Sequence, residues 1–208
     1  MPIDIPHIIK PGTLASGPQP TLHSADGELV LRTPEFTDAP AIHDAFQDPA
    51  LRYWHIRGME SVDEARDWVT STHEGWREET AAQWFVAGAA DGAPLGRMAL
   101  RQMNLMEGVA EVGYWVLPAA RGLGVAPRAL AAMTDWAFDI GFHRIDLLHS
   151  TGNEPSCKVA LKADYPLEGT RRSSALHTDG WHDMHVHARI NARINARINA
   201  RINARINS

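Results

Sequence analysis

The chain has 208 residues, 44% of them hydrophobic, which is enough to bury one good core in a single domain. Its formal net charge is −5 at pH 7. Five of its 20 basic residues are arginines within residues 188–208. The rest of the chain therefore has 15 basic and 25 acidic residues, a net charge of −10. A body this acidic argues against a nucleic-acid-binding domain, because such domains present a basic face.

Cysteine content and hydropathy bear on where the protein works. Cys157 is the only cysteine, so no intrachain disulfide can form and nothing indicates an oxidising compartment. No apolar run approaches about 18 residues, and residues 1–13 lack the basic and apolar regions of a signal peptide. We therefore expect a cytoplasmic protein with no membrane partner.

The N-terminal half predicts an arm, a strand and two helices. Residues 1–27 include a stretch rich in Pro, Gly, Ser and Thr without periodicity, which favours a flexible arm. Residues 28–33 alternate as a first strand, and a short helix follows from Asp38 to near Pro49. Ser61 and Glu64 form a capping box before a second amphipathic helix.

The following residues predict most of a sheet. Residues 83–89 and 95–103 are strands joined through the Asp91-Gly92 turn, and residues 109–117 form the next strand. A helix then runs to Ile140, followed by a strand at 144–149, a last helix and a final hairpin. This order predicts an α+β architecture with a mixed sheet, in a domain that spans residues 28–187.

Residues 188–208 repeat Ala-Arg-Ile-Asn five times before a final serine. A four-residue period moves successive isoleucines around a helix, so no straight apolar stripe forms. We expect a disordered tail. Two alternatives are a basic arm that contacts RNA or an anionic surface, and a helix that forms only in an oligomer.

The loop after residue 117 is the strongest functional signal. A strand stops at Pro118, a loop containing Gly122 and Gly124 follows, and a helix begins. Small residues admit a phosphate group to the backbone, and the free amides at a helix start attract it. The loop has no Lys-Ser or Lys-Thr of a P-loop, and Pro127 interrupts a dinucleotide fingerprint.

Two motifs give the chain a family resemblance. Arg121-x-x-Gly124-x-Ala126 resembles the (Q/R)-x-x-G-x-(G/A) loop that holds the acetyl-CoA pyrophosphate in GCN5-related N-acetyltransferases, the GNAT family. Residues 152–162 resemble the N-x-x-S-x-x-V-A-x-K helix start of its ribosomal-protein N-terminal acetyltransferases. The family usually has Gly-Phe where this chain has Asp164-Tyr165. The resemblance implies a mostly antiparallel sheet flanked by about four helices and splayed at the cofactor strand.

The same resemblance implies acetyl-CoA, or another short acyl-CoA, as the cofactor. The pantetheine arm would pair with the backbone of Trp115, Val116 and Leu117, one of whose amides would also stabilise the oxyanion. Asn153 would bind the pantetheine amides. The expected diphosphate-binding residues are Arg121, Gly122, Leu123, Gly124, Val125 and Ala126.

Two residues are candidates for proton transfer. Glu111 shares a strand face with Gly113 and would take the amine proton through water; alternatively it forms a cross-strand ion pair with Arg97 or Arg101. Ser156 would return a proton to the CoA thiolate and also bind the cofactor, or would only cap its helix.

Aromatic residues suggest an acceptor pocket. Trp54, Trp84 and Tyr114 are the candidates, although core packing is the favoured role for at least two of the tryptophans at 54, 76 and 84. We expect no metal: His185 and His187 share a strand face, yet ordinary strand positions explain them. Cys157 is expected to be a packing residue rather than a nucleophile.

Together these features predict an N-acetyltransferase that moves an acetyl group to a primary amine by direct attack in a ternary complex. The acceptor is a protein or peptide N-terminus, or a small amine such as an antibiotic, and a homodimer is left open. One alternative is an acyl-CoA-binding or regulatory module that has lost catalysis. Another is a scaffolding protein that binds a partner through its tail, the only segment suited to nucleic acid.

Overall fold

The computed structural model describes residues 7–55 and 58–194. Eight strands form one sheet in the order β1-β2-β3-β4-β5-β6-β8-β7. The strands are β1 (Leu22–His23), β2 (Leu29–Arg32), β3 (Ala82–Gly88), β4 (Pro94–Asn104), β5 (Val109–Val116), β6 (Arg144–Ser150), β7 (Leu167–His177) and β8 (Gly180–Ile190). The α-helices are α1 (Ala39–Ala45), α2 (Pro49–His55), α3 (Val62–Arg77), α4 (Val125–Ile140) and α5 (Glu154–Lys162). None of the described helices has the length and apolar character needed to cross a bilayer.

The sheet is antiparallel except between β5 and β6, which are parallel. Those two strands pair only where Val109–Glu111 face Arg144–Asp146. Beyond Glu111 they separate, although β5 continues to Val116 and β6 to Ser150. The structure thus confirms the predicted α+β fold with a mixed, mostly antiparallel sheet that splays at the cofactor strand.

The helices follow their sequence signals closely. Ser61 caps α3 by accepting the Glu64 amide, and Gly124 and Gly141 bound α4 with positive φ angles of 73° and 117°. The additional helix is α2, which begins at Pro49 where the sequence predicted only a helix end. Proline is favourable in a first helical turn, so the same residue serves as a start.

The N-terminal segment differs from the predicted flexible arm. Ile9 and Leu14 are buried in the main core, and β1 pairs with β2. The indole N–H groups of Trp76 and Trp84 donate to the carbonyls of Gly17 and Pro20, at 3.0 and 2.8 Å. Residues 8–23 are therefore an ordered part of the domain, because they satisfy buried polar groups that composition alone does not reveal.

The start of the repeat tail is also ordered. Strand β8 continues to Ile190, three residues past the predicted boundary at 187, and Ala188 is buried. Asn191 donates from its amide nitrogen to the carbonyls of Phe138 and Phe142. The first repeat is thus part of the sheet, and the disorder predicted for residues 195–208 lies outside the described residues.

The unusual Asp164-Tyr165 pair has a structural explanation. Asp164 adopts a left-handed backbone with φ of 59°, a conformation that aspartate tolerates and glycine adopts freely. Tyr165 is fully buried, and its hydroxyl lies 2.6 Å from the hydroxyl of Thr134. The turn after α5 is therefore kept, with aspartate in place of glycine and tyrosine filling the aromatic position.

Candidate active site

The divergence of β5 and β6 opens a cavity of about 730 Å³. Its walls come from α2, β4, β5, the loop before α4, β6, α5 and the β7–β8 hairpin. Most of the residues proposed to hold the cofactor line it. These are Trp115, Val116, Arg121, Gly122, Gly124, Val125, Ala126, Asn153 and Ser156.

The loop at the head of α4 presents a row of free amides. Gly122 and Gly124 have φ angles of 81° and 73°, the left-handed region that glycine adopts without strain. Within the described part of the chain, the amide groups of residues 122–126 donate no hydrogen bond. Leu123 is well exposed and offers the site only its backbone. These amides and the helix dipole together form an anion-binding cradle.

The Arg121 side chain has a different partner from the expected diphosphate. Its guanidinium forms an ion pair with Asp48, and its Nε donates to the Val116 carbonyl at 3.2 Å. Asp48 also accepts the Leu51 amide in the first turn of α2. Hydrogen bonding to Arg121 is the main reason that the pKa of Asp48 lies below its ordinary value. Arg121 therefore ties the loop to α2.

The β4–β5 register determines which backbone groups of β5 face the gap between β5 and β6. The Leu117 amide donates to the Leu95 carbonyl on β4, and Trp115 pairs with Arg97 on the same strand. Because backbone groups alternate in direction along an antiparallel ladder, those of Trp115 and Leu117 point to β4. The prediction that these two residues pair with pantetheine is wrong on this geometry. The groups that point into the gap belong to Tyr114 and Val116.

A hydroxyl pair lies beneath the gap. The Tyr114 hydroxyl donates to the Ser156 Oγ at 2.9 Å, and burial raises the pKa of Tyr114 to about 12. Ser156 is buried in the first turn of α5, where the side chain of Asn153 caps the helix by accepting the Ser156 amide. Tyr114 thus contacts the proposed acid rather than only lining an acceptor pocket.

Glu111 forms the cross-strand ion pair that the sequence offered as its alternative role. Arg101 lies directly opposite Glu111 in the β4–β5 register, and its Nη2 contacts the Glu111 carboxylate. Arg101 lines the cavity, whereas Glu111 does not. The Glu111 carboxylate therefore contacts a cavity-lining side chain without itself lining the cavity.

The three proposed acceptor residues lie in two different places. Trp54 lines the cavity and contacts the rings of Tyr53 and His177. Trp84 is fully buried against Trp136 on the other side of the sheet, so its proposed acceptor role is wrong. Sequence alone could not distinguish them, because both tryptophans are flanked by mixed polar and apolar residues.

Sequence reasoning missed His55, the last residue of α2, which lines the cavity. Burial, together with the positive charges of Arg97 and Arg101, lowers the pKa of His55 to about 4. Its imidazole is therefore neutral at pH 7. No local pattern marks this residue, because its importance depends on where the short helix α2 packs.

Comparison with known proteins identifies the family. Residues 28–165 match the family model described as "Acetyltransferase (GNAT) domain", about two thirds of the chain. The chain belongs to the GNAT family. It is accordingly an acyltransferase, as its loop and α5 motifs predicted, and the splayed sheet is the GNAT fold.

Individual relatives agree with this assignment. The chain is 25% identical over 162 residues to the uncharacterized N-acetyltransferase YoaA of Bacillus subtilis, covering 77% of this chain and 92% of YoaA. It is 27% identical over 97 residues to the ribosomal-protein-serine acetyltransferase of Escherichia coli, covering 46% and 54%. The solved structure of Mycobacterium smegmatis RimJ in complex with CoA-disulfide shares the fold, with a TM-score of 0.74 at 21% identity over 84% of this chain and 88% of RimJ.

Proposed function

We propose that this GNAT protein transfers an acetyl group from acetyl-CoA to a primary amine by direct attack in a ternary complex. The observation that carries the proposal is the cradle of free amides at residues 122–126, which opens into the gap between β5 and β6. An anion site at one end of a 730 Å³ gap fits a long substrate with a diphosphate in its middle.

The chain supplies binding groups along the whole gap. The amides of residues 122–126 receive the diphosphate, and the inward-facing backbone of Tyr114 and Val116 receives the pantetheine arm. One of these two amides polarises the thioester carbonyl. The RimJ structure, which is a complex with CoA-disulfide, and YoaA, which is named an N-acetyltransferase, support acetyl-CoA as the substrate.

Proton transfer requires an acid and a base. We assign the acid to Ser156, which the Tyr114 hydroxyl can resupply with a proton across their 2.9 Å hydrogen bond. For the base we keep Glu111, which would act through water once an acceptor amine approaches Arg101. His55 is the competing base, because its neutral imidazole lines the cavity directly.

The acceptor enters beside Trp54, where aromatic and acidic groups meet. The Tyr53 hydroxyl donates to Asp179 at 2.6 Å, and His182 lies 2.9 Å from the same carboxylate. Asp179 remains half exposed, so it attracts a cationic amine toward the cavity. A protein N-terminus or a small amine satisfies this chemistry, and the Escherichia coli relative, named for ribosomal-protein serine, favours the former. That acceptor class and the single cysteine also favour a cytoplasmic location.

The decisive experiment separates turnover from binding. Calorimetric titration with acetyl-CoA is followed by measurement of CoA thiol release over a panel of peptide N-termini and small amines, with the constant signal from Cys157 subtracted. We expect micromolar binding and amine-dependent release. Tight binding without release on any amine would instead establish the non-catalytic acyl-CoA-binding module, and absence of binding would refute both.

A further inference from the structure

Four side chains able to ligate a metal converge on one face of the sheet, next to the acetyl-transfer cavity. They are His149 of β6, Cys157 of α5, and His185 and His187 of β8. One ligand atom from each lies within 4.8 Å of all the others. The transferase chemistry proposed above uses none of them.

The fold brings these residues together from three elements. His149 lies directly opposite His185 in the antiparallel β6–β8 register, and His187 follows two positions later on the same face. Helix α5 supplies Cys157, the residue after Ser156. His185 follows His149 by 36 residues and Cys157 by 28 residues, so the sequence alone does not reveal the cluster.

Backbone carbonyls fix the orientation of two of the imidazoles. His149 Nδ1 lies 2.8 Å from the Ser150 carbonyl, and His187 Nδ1 lies 2.9 Å from the Tyr165 carbonyl. Because a carbonyl only accepts, each Nδ1 carries the proton and each Nε2 presents a lone pair. This is the arrangement by which proteins orient metal-binding histidines.

The lone pairs thus presented have no protein partner. His149 and His187 are at least 95% buried, and their Nε2 atoms have no hydrogen bond within the described residues. His185 Nδ1 is also buried and unsatisfied. Buried polar atoms are normally paired, so three histidines of one cluster that each keep an unpaired ring nitrogen indicate a ligand.

We propose that Cys157, His149, His185 and His187 form a four-coordinate site for a zinc-like divalent metal ion. One thiolate and three imidazoles without a carboxylate suit Zn²⁺ rather than Mg²⁺ or Ca²⁺. Zn–N bonds of about 2.1 Å and a Zn–S bond of about 2.3 Å place tetrahedral ligand atoms about 3.5 Å apart. Small side-chain movements shorten the present separations between ligand atoms, which are up to 4.8 Å, to that value.

Four protein ligands leave no open position, so the ion is structural. It fastens α5 to β6 and β8, and α5 carries Asn153 and Ser156 at the edge of the cavity. Binding converts the Cys157 thiol to a thiolate and releases its proton to solvent. The site thus positions the helix that holds the proposed acid.

Cobalt titration tests the proposal on the full chain. Chelator-treated protein, free of CoA and of thiol reductants, is titrated with Co²⁺ and then with Zn²⁺. We expect one equivalent of Co²⁺ to give the intense visible bands of tetrahedral cobalt and a thiolate-to-cobalt charge-transfer band, both abolished by Zn²⁺. Cys157→Ser should lose the charge-transfer band, and His187→Gln should weaken Zn²⁺ binding at least about 100-fold. Absence of the bands in the unaltered protein would overturn the site.

The matched control is His143→Gln. Among the described residues, His143 Nδ1 is also buried and has no hydrogen-bond partner, yet His143 lies outside the cluster, so this variant should bind cobalt as the unaltered protein does. Equal loss in His143→Gln and His187→Gln would contradict the assignment.

A second measurement needs no variant. Cys157 is the only cysteine and is partly exposed, so a thiol-alkylating reagent reports on it alone. One equivalent of Zn²⁺, but not of Mg²⁺, should slow alkylation at least about tenfold, because a coordinated thiolate reacts poorly. An unchanged rate with Zn²⁺ would refute coordination. Neither experiment involves acetyl-CoA, so the outcome is independent of the proposed transferase reaction.

Discussion

Replacement of Gly124 by glutamate should lower CoA affinity at least about 30-fold while leaving the fold intact. A Cβ at Gly124 meets only the Arg128 Nε, at 3.9 Å, so the larger residue fits, and its left-handed φ of 73° costs about 1 kcal/mol of stability. Arg128 already binds Asp26 and Glu28, so it is occupied as a partner for the new carboxylate.

The expected loss of affinity comes from charge repulsion. A unit charge about 4 Å from another costs about 1 kcal/mol in water and about 4 kcal/mol at an effective dielectric constant of 20. Two diphosphate charges therefore cost at least about 2 kcal/mol, which lowers CoA affinity at least about 30-fold. Isothermal titration calorimetry measures this change, and high salt should restore part of the affinity by screening.

Two variants separate charge from size and strain. Gly124→Gln has nearly the same volume without the charge and should retain most of the affinity. Gly92→Glu introduces the same residue at a φ of 68° with open space around it, in the β3–β4 turn, and should bind CoA normally. If Gly124→Glu bound CoA as tightly as the unaltered protein, the amide cradle would not be the diphosphate site.

Four further predictions concern proton transfer and stability. Glu111→Gln should lower kcat about 100-fold with CoA affinity unchanged; if His55→Gln has this effect instead, the imidazole is the base, and an unchanged kcat in Glu111→Gln would exclude Glu111. Tyr114→Phe should lower kcat about tenfold and leave acetyl-CoA affinity within twofold in calorimetry, because it removes only the hydroxyl that contacts the proposed acid; an unchanged kcat would exclude the proton relay. Trp84→Ala should lower the free energy of unfolding in urea by about 3–5 kcal/mol, because Trp84 is fully buried. Trp84→Phe should leave the acceptor KM unchanged, whereas substitution of an acceptor-pocket residue would change it. Hydrogen bonding to Arg121 lowers the pKa of Asp48, so the pair stabilises the fold above about pH 4, and this contribution is lost as the pH falls through the folded-state pKa. Asp48→Asn should therefore lower Tm at pH 7 and flatten the acidic part of the Tm–pH curve. Parallel Tm–pH curves for the variant and the unaltered protein would contradict this.

Local signals in the sequence predicted the elements that carry the cofactor site. The glycines at 122 and 124 mark a left-handed loop, and Asn153 marks the start of α5. Both signals are readable in the sequence because a positive φ angle and a helix cap each depend on only a few neighbouring residues. The fold class followed from the order of these elements. Prediction was less successful wherever the answer depended on a partner strand or on packing.

Three particular errors illustrate this limit. The direction of the Trp115 backbone depends on its register with Arg97, which residues 109–117 alone do not determine. Trp84 and Trp54 differ in role only because one faces α4 and the other lies at the end of α2. The histidine cluster requires β6 and β8 to be neighbours, a pairing between strands separated by α5 and β7.

The indole hydrogen bonds to Gly17 and Pro20 have a practical consequence for anyone shortening this protein. The family match begins at residue 28, so a gene trimmed to that point would delete both acceptors together with Ile9 and Leu14. Each indole hydrogen bond lost in this way removes about 0.5–1.5 kcal/mol, a sizeable fraction of the total stability of a domain this size. Truncation at residue 28 would also expose the apolar face that contains these tryptophans, and we expect the shortened protein to aggregate.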